Sequence, residues 1–324
     1  MWTCAPRTAA DVVVLANWAR RHGYRLRARG RMHTFSPLTL TGQPSDTERV
    51  VLVDTTKHLT GREIASTRPA TVRVGAGTSM ESLLAYLERH GYGLTAAPAA
   101  GNLTVGGVLA IGSHGTGVPA AGEHQRSGHT YGSLSNLVVS LTAVVWDQPS
   151  DRYVARAFHR SHPDCAAFLT HLGRAFITDV TLRVGADNYL RCVSDVTTPA
   201  SRLFAAPGST SAQSFAAMVE RCGRVEAVWF PFTDHPWTKA WTVRPIRPSR
   251  SRPVDTPYNY PFSDNVPRLV ADLASQLVNG TPQLAPALVE FLGDLARARW
   301  QPTRHLGNPA RRRPPAPVQH ASKG

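Results

Sequence analysis

Apolar residues recur at helical spacing from Val12 through Leu15 and Ala16 to Ala19, with Thr8 and Asp11 just before them and Gly23 just after. That order predicts an amphipathic helix opened by a capping box, with Asp in place of the usual Glu or Gln, and closed at the glycine. The period then drops to two. Tyr24, Leu26 and Ala28 alternate with Arg25, Arg27 and Arg29 as a half-exposed strand, which empties into Gly30-Arg31-Met32-His33-Thr34-Phe35-Ser36-Pro37. Strands are expected at 50–53 and 70–74. Thr78 with Glu81 reads as a second capping box, opening a helix whose Met80, Leu83, Leu84 and Leu87 share a face and which ends at Gly91. Two further apolar, β-branched runs, 137–146 and 175–184, predict strands. Helices alternating with strands over the first 185 residues predict an α/β or α+β layer in one domain. Past Gly185 the texture changes. Runs at 225–230 and 239–243, joined across Asp234-His235-Pro236, predict a hairpin, and 266–278 and 284–300 predict helices. The expected division is 1–185, 186–300 and a tail of 301–324.

Between the second helix and the fourth predicted strand lies 101–117, Gly-Asn-Leu-Thr-Val-Gly-Gly-Val-Leu-Ala-Ile-Gly-Ser-His-Gly-Thr-Gly. So many positions without a Cβ read either as a turn between strands or as backbone laid against a ligand. Turn amides form concave nests for anions, and the hydroxyls of Ser113 and Thr116 would add donors, so a dinucleotide diphosphate is a natural occupant. Neither a Walker A lysine nor a strand-led GxGxxG is present.

His33 stands in a glycine-containing loop after a strand. There an imidazole can be a general base, a metal ligand or a nucleophile toward an electrophilic cofactor carbon, or simply a surface histidine. His114, between Ser113 and Gly115, has the same ambiguity, and its surroundings suit a phosphate contact better. Glu226 shares a strand face with Val228 and Phe230, which would desolvate the carboxylate and suit it to proton transfer near carbon. An ion pair with Lys239 on the facing strand is the alternative at even weight. Tyr258, Asn259, Tyr260, Phe262, Asp264 and Asn265 form a polar aromatic cluster that suits either a pocket wall or a loop packed on its own rings.

Composition refines this picture in three ways. The net charge of +14 suggests nucleic acid, but seven cations between Arg297 and Lys323, with no acid among them, carry half of it in a Pro/Arg-rich segment without apolar periodicity. The remainder has no aromatic-interleaved basic patch, so nucleic acid is not expected as a partner. Cys4, Cys165, Cys192 and Cys222 are too scattered for a zinc knuckle or a CxxC pair, so free thiols and no metal are expected. No run approaches the ~18 apolar residues of a membrane span and no signal peptide opens the chain, which as written implies a cytoplasmic protein.

On these residues the sequence resembles the flavin oxidases of the vanillyl-alcohol oxidase fold, and more narrowly the covalent-flavin, type II cholesterol oxidases. The segments that carry the resemblance are Arg29 to His33 with Ser36-Pro37-Leu38-Thr39, Gly106-Gly107 through His114-Gly115, and Gly128-His129-Thr130-Tyr131-Gly132-Ser133-Leu134-Ser135-Asn136-Leu137. It continues through Glu226-Ala227-Val228-Trp229-Phe230-Pro231-Phe232-Thr233, Pro236-Trp237, Trp241-Thr242-Val243 and Pro257 to Asn265. It runs from about Trp2 to about Leu295. The resemblance implies an α+β protein: a two-part PCMH-type FAD-binding domain followed by an α+β substrate-binding cap domain that is incomplete. FAD would lie extended, held by Arg29, Gly30, Arg31, Met32, His33 and Thr34, by Gly106, Gly107, Ser113, His114 and Gly115, and by His129. His33 stands where the family bonds the flavin 8α-methyl carbon. Glu226 matches a pocket glutamate associated with proton transfer around the steroid. The implied reaction oxidises a 3β-hydroxysteroid to the ketone with double-bond migration, reducing O2 to H2O2. A sugar-lactone oxidase and a non-catalytic flavin-binding protein are the alternatives. In the family the chain returns after the helices to complete the flavin domain with a further glutamate and arginine. Here 301–324 stands in that place, so the chain reads as truncated at both ends.

Overall fold

The computed structural model describes residues 2–34, 48–95, 97–98, 101–124, 126–206, 208, 211–244, 246, 248–249 and 268–300. The aromatic cluster 258–265, the segment 35–39 and the tail 301–324 lie outside the described residues. The chain forms two compact units, Met1–Gly115 with Arg126–Ala186, and Thr116–Gln125 with Asp187–Gly324.

The first unit begins with β1 (Trp2–Cys4), α1 (Ala9–Arg21), β2 (Arg25–Arg29) and β3 (Val50–Asp54), the three strands pairing in parallel in the order β1-β3-β2. The capping box of α1 is present in full: Thr8 Oγ1 accepts from the Asp11 amide and the Asp11 carboxylate accepts from the Thr8 amide. Next come β4 (Arg62–Thr67), β5 (Ala70–Gly75), α2 (Met80–Arg89), β6 (Tyr92–Gly93), α3 (Val105–Ala110), β7 (Val138–Asp147), β8 (Arg152–His159), β9 (Phe176–Arg183) and β10 (Gly185–Ala186). Five of these strands form an antiparallel sheet in the order β4-β5-β9-β7-β8, and β6 pairs with β10. Met80, Leu83, Leu84 and Leu87 of α2 and Val105, Val108 and Leu109 of α3 pack with Val72, Val74, Leu141, Val180 and Leu182 of the sheet. Each such fully buried side chain contributes roughly 1.5–3 kcal/mol. Val12 and Ala16 of α1 form a separate cluster with Leu59 and Val144.

Two sequence expectations are corrected. The cap of α2 is Ser79, whose hydroxyl accepts from the Ser82 amide, while Thr78 is buried with Oγ1 making no hydrogen bond. The glycine-rich stretch is not all loop. Residues from Val105 to Ala110 are helical, capped by Thr104, and the first turn lies close against Ala76: a Cβ on Gly106 would stand 3.0 Å from the Ala76 Cβ.

The second unit contains β11 (Leu190–Asp195), α4 (Ala200–Leu203), α5 (Phe215–Cys222), β12 (Arg224–Val228), β13 (Trp237–Val243), α6 (Arg268–Gly280) and α7 (Ala285–Trp300). Its sheet is antiparallel, in the order β11-β13-β12, and Glu226 stands directly opposite Lys239. Helix α5 covers one face through Phe215, Met218 and Val219 against Val225 and Ala240. Side chains alternate across a strand, so Glu226, Val228, Trp237, Lys239 and Trp241 occupy the other face, where Val196 and Trp237 form a small core with Val228 and Phe230. The ten-residue excursion 116–125 joins this unit. The Val118 and Ala121 amides donate to the carbonyls of Gly223 and Glu220, and Arg224 grips the Glu123 carboxylate with two bonds of 2.9 and 2.7 Å. Gly223 makes this approach possible, since it has φ +71° and a Cβ there would overlap the Val118 carbonyl.

Candidate functional site

In the first unit the loop after β2 meets the turn before α3. Gly30 abuts Thr104 so closely that a Cβ on it would overlap the Thr104 hydroxyl. The Val105 and Gly106 amides donate to the carbonyls of Thr78 and Ala76, and Gly77 lies against the Thr55 carbonyl with no room for a Cβ. The ends of β2, β3 and β5 and the start of α3 are thereby drawn into one cradle. Two polar atoms at this cradle, Arg29 Nε and Thr78 Oγ1, are buried and make no hydrogen bond. Buried donors without partners cost free energy unless a ligand completes them.

The base of the cradle is electrostatically fixed. Arg29 lies 3.5 Å from Asp54, whose carboxylate also accepts from the Thr56 amide (2.9 Å) and hydroxyl (2.6 Å). Burial works against the ionised Asp54, but the Thr56 bonds and the charges of Arg29 and Lys57 outweigh it and hold the carboxyl below its ordinary value. Beside β2 lies a cavity of about 640 Å³ lined by Arg20, Arg25, Arg27 and Arg174 among apolar side chains, with no carboxylate in its lining. Burial, then the neighbouring charges of Arg174 and Arg25, lowers the pKa of Arg27.

The predicted residues take different places. Met32 has φ +57°, and Arg31, Met32, His33 and Thr34 are exposed beyond the cradle. His114 is exposed with Nδ1 3.0 Å from the Gly115 carbonyl, and it forms a single antiparallel bridge with Ser133. His129 is buried and bonded at both ring nitrogens, Nδ1 to the Thr95 hydroxyl (2.7 Å) and Nε2 to the Ala186 carbonyl (2.9 Å), with its ring flat on Gly185. A carbonyl only accepts, so Nε2 carries the proton. His129 therefore ties the 128–129 turn to β10.

In the second unit Glu226 is paired as well as half-buried. Lys239 Nζ lies 3.3 Å from Oε1, and Trp241 Nε1 donates to the same oxygen at 3.3 Å. Lys239 itself is 1 % exposed, its ammonium 4.1 Å from the centroid of the Trp237 ring. Of the two readings left open by the sequence, the structure realises the ion pair. The second partner, Trp241, has no signal in the spacing of the sequence.

Residues 3–147 match the FAD binding domain family, and residues 189–306 match the substrate-binding domain of cholesterol oxidase. The second match extends past Leu295, where the sequence resemblance fades. Among solved structures, a solvent-stable cholesterol oxidase is 49% identical with a TM-score of 0.86, covering 94% of this chain and 57% of its own. The cholesterol oxidase from Brevibacterium sterolicum is 40% identical with a TM-score of 0.87, over 95% of this chain and 57% of its own. The chain belongs to the cholesterol oxidase family of FAD-binding flavoproteins. It spans a little over half the length of these cholesterol oxidase chains. An alkyldihydroxyacetonephosphate synthase, 15% identical with a TM-score of 0.57 over 75% of this chain and 50% of its own, shares the fold. No curated protein sequence matches significantly.

For a member of the cholesterol oxidase family, the cradle fits the cofactor that the family binds. Its glycines let the strand ends and the start of α3 approach this closely, and its two buried unpartnered donors suit an anion. Among the described residues no group of His, Cys, Asp and Glu is placed to hold a metal ion, and no helix is long and apolar enough to cross a membrane.

Proposed function

We propose that this chain provides the flavin-binding and sterol-binding parts of an FAD-dependent oxidase. It would act on a 3β-hydroxysteroid, giving the ketone with its double bond moved into conjugation, while O2 is reduced to H2O2. The observation that carries the reading is Glu226 on an aromatic-walled sheet face inside the segment matched to the cholesterol oxidase substrate-binding domain. FAD, when bound, supplies the acceptor for the hydride from the alcohol carbon. The protein's own residues do the rest. Arg29, Gly30, Thr78, Thr104, Gly106 and Gly107 embrace the diphosphate, with Ser113, His114 and Gly115 continuing the same wall, and His129 fixes the strand beside the turn that it occupies. Arg31 to Thr34 project His33, which makes no hydrogen bond among the described residues and would be the side chain to hold the flavin covalently. Glu226 accepts a proton near the steroid ring.

The test begins with the cofactor. Acid-precipitated wild-type protein is expected to keep its yellow colour in the pellet, and His33→Ala to release it to the supernatant. Colour retained equally by both proteins removes His33 as the tether. Peroxide formed with cholesterol and not with an aldonolactone is the expected substrate result. The reverse preference would place the chain with the lactone oxidases, and yellow protein giving no peroxide with any hydroxysteroid would make it a binding protein only.

A further inference from the structure

The ion-pair partner and the hydrogen-bond donor of Glu226 approach the same oxygen. Lys239 is opposite it in the β12–β13 register and Trp241 is diagonal, and both address Oε1. No described residue bonds Oε2. The Glu226 side chain keeps 17% of its surface exposed while that of Lys239 keeps 2%. The ammonium is therefore sealed behind the carboxylate, between it and the Trp237 ring, and only the carboxylate reaches the accessible side. An ammonium buried to this degree is stable only against an opposite charge. The remaining charged group on this face of the strand, Arg224, is already committed to Glu123.

We propose that Lys239 is a positioning residue that holds Glu226 as a carboxylate, with Oε1 occupied and Oε2 left to accept from a sterol hydroxyl, so that the site favours steroid alcohol over steroid ketone. The inference rests on the sterol-site reading above. An ionised carboxylate only accepts hydrogen bonds. It therefore attracts the O–H of the substrate and repels the carbonyl oxygen of the product, which helps the ketone to leave. Without the ammonium, Oε1 loses the partner that fixes the carboxylate's orientation, and the sterol hydroxyl loses its fixed acceptor. The preference is then lost.

The experiment uses the flavin-loaded full chain and two rigid probes in calorimetric titration: equilenin, whose aromatic 3-hydroxyl donates, and androst-4-ene-3,17-dione, whose 3-ketone accepts. Wild type is expected to favour equilenin. Lys239→Met should weaken equilenin by roughly tenfold to a hundredfold, the worth of a hydrogen bond to a charged group, while leaving the ketone little changed. Lys239→Arg should keep the wild-type order. Bound flavin content reports whether each variant is folded, and if Lys239→Met is not, Lys239→Gln is read in its place. If neither single variant folds, the Glu226→Gln/Lys239→Met pair removes both charges and should bind both probes alike. Parallel losses for both probes, or an unchanged order in a folded variant, would overturn the role of Lys239. Failure of wild type to bind either steroid would instead remove the sterol site itself, and this inference with it.

Discussion

Gly77 shows how much of the cradle depends on single atoms. A methyl group on it meets the Thr55 carbonyl, and no flexible side chain is there to yield. Gly77→Ala is expected to lower flavin content at least tenfold, measured by absorbance after desalting, and full flavin content in a folded variant would show that the cradle tolerates a shift. His171 makes a different prediction. Its Nδ1 accepts from the Ala175 amide, its Nε2 is buried without a partner, and desolvation lowers its pKa to about 4. Between that value and the ordinary 6.5 the unfolded chain binds a proton that the folded chain refuses. The histidine's contribution to stability is complete above the upper value and is lost as the pH falls through the window, at about 1.4 kcal/mol per pH unit. Urea unfolding at pH 7 and pH 4.5 should show a smaller loss for His171→Asn, which keeps an acceptor without titrating; equal losses would rule the residue out.

At the scale of elements, Asn17 joins a helix to a sheet edge. Its amide donates to the Tyr153 carbonyl and its carbonyl accepts from the Tyr153 amide, both at 2.9 Å, so α1 completes the ladder of β8. Leaving both backbone groups unpaired in Asn17→Ala should cost about 1–3 kcal/mol, read as a lower denaturant midpoint with unchanged slope. An unchanged midpoint would mean that water replaces the side chain. The same scale shows what the sequence made legible. α1 was readable because its capping box and apolar stripe are local, and the β12–β13 hairpin because period two and facing residues are local too. α3 was not, since Val105-Gly106-Gly107-Val108 has poor helix propensity and is shaped by Ala76, nearly thirty residues earlier. The Glu226–Lys239 pair was one of two readings that strand alternation left open. The bond from Trp241 was in neither, because a diagonal contact depends on the register and on side-chain direction.

Over the whole molecule, the second compact unit takes in the excursion 116–125, which has no sequence signature beyond its Gly, Pro and Ala content. Its hold on the second unit is concentrated in Glu123, whose side chain is 24% exposed against 10% for Arg224. Glu123→Gln leaves a buried guanidinium without its counter-charge. Hydrogen exchange at the Val118 and Ala121 amides should quicken at least tenfold, and protection equal to wild type would assign the anchoring to the backbone bonds alone.

That ten-residue excursion also constrains how the polypeptide matures at the ribosome. When Glu123 emerges, its arginine is still 101 codons away, so the excursion cannot take its seat until the hairpin of the second unit has been synthesised. A gene cut after codon 186 would thus encode the first unit with this segment left without its anchor.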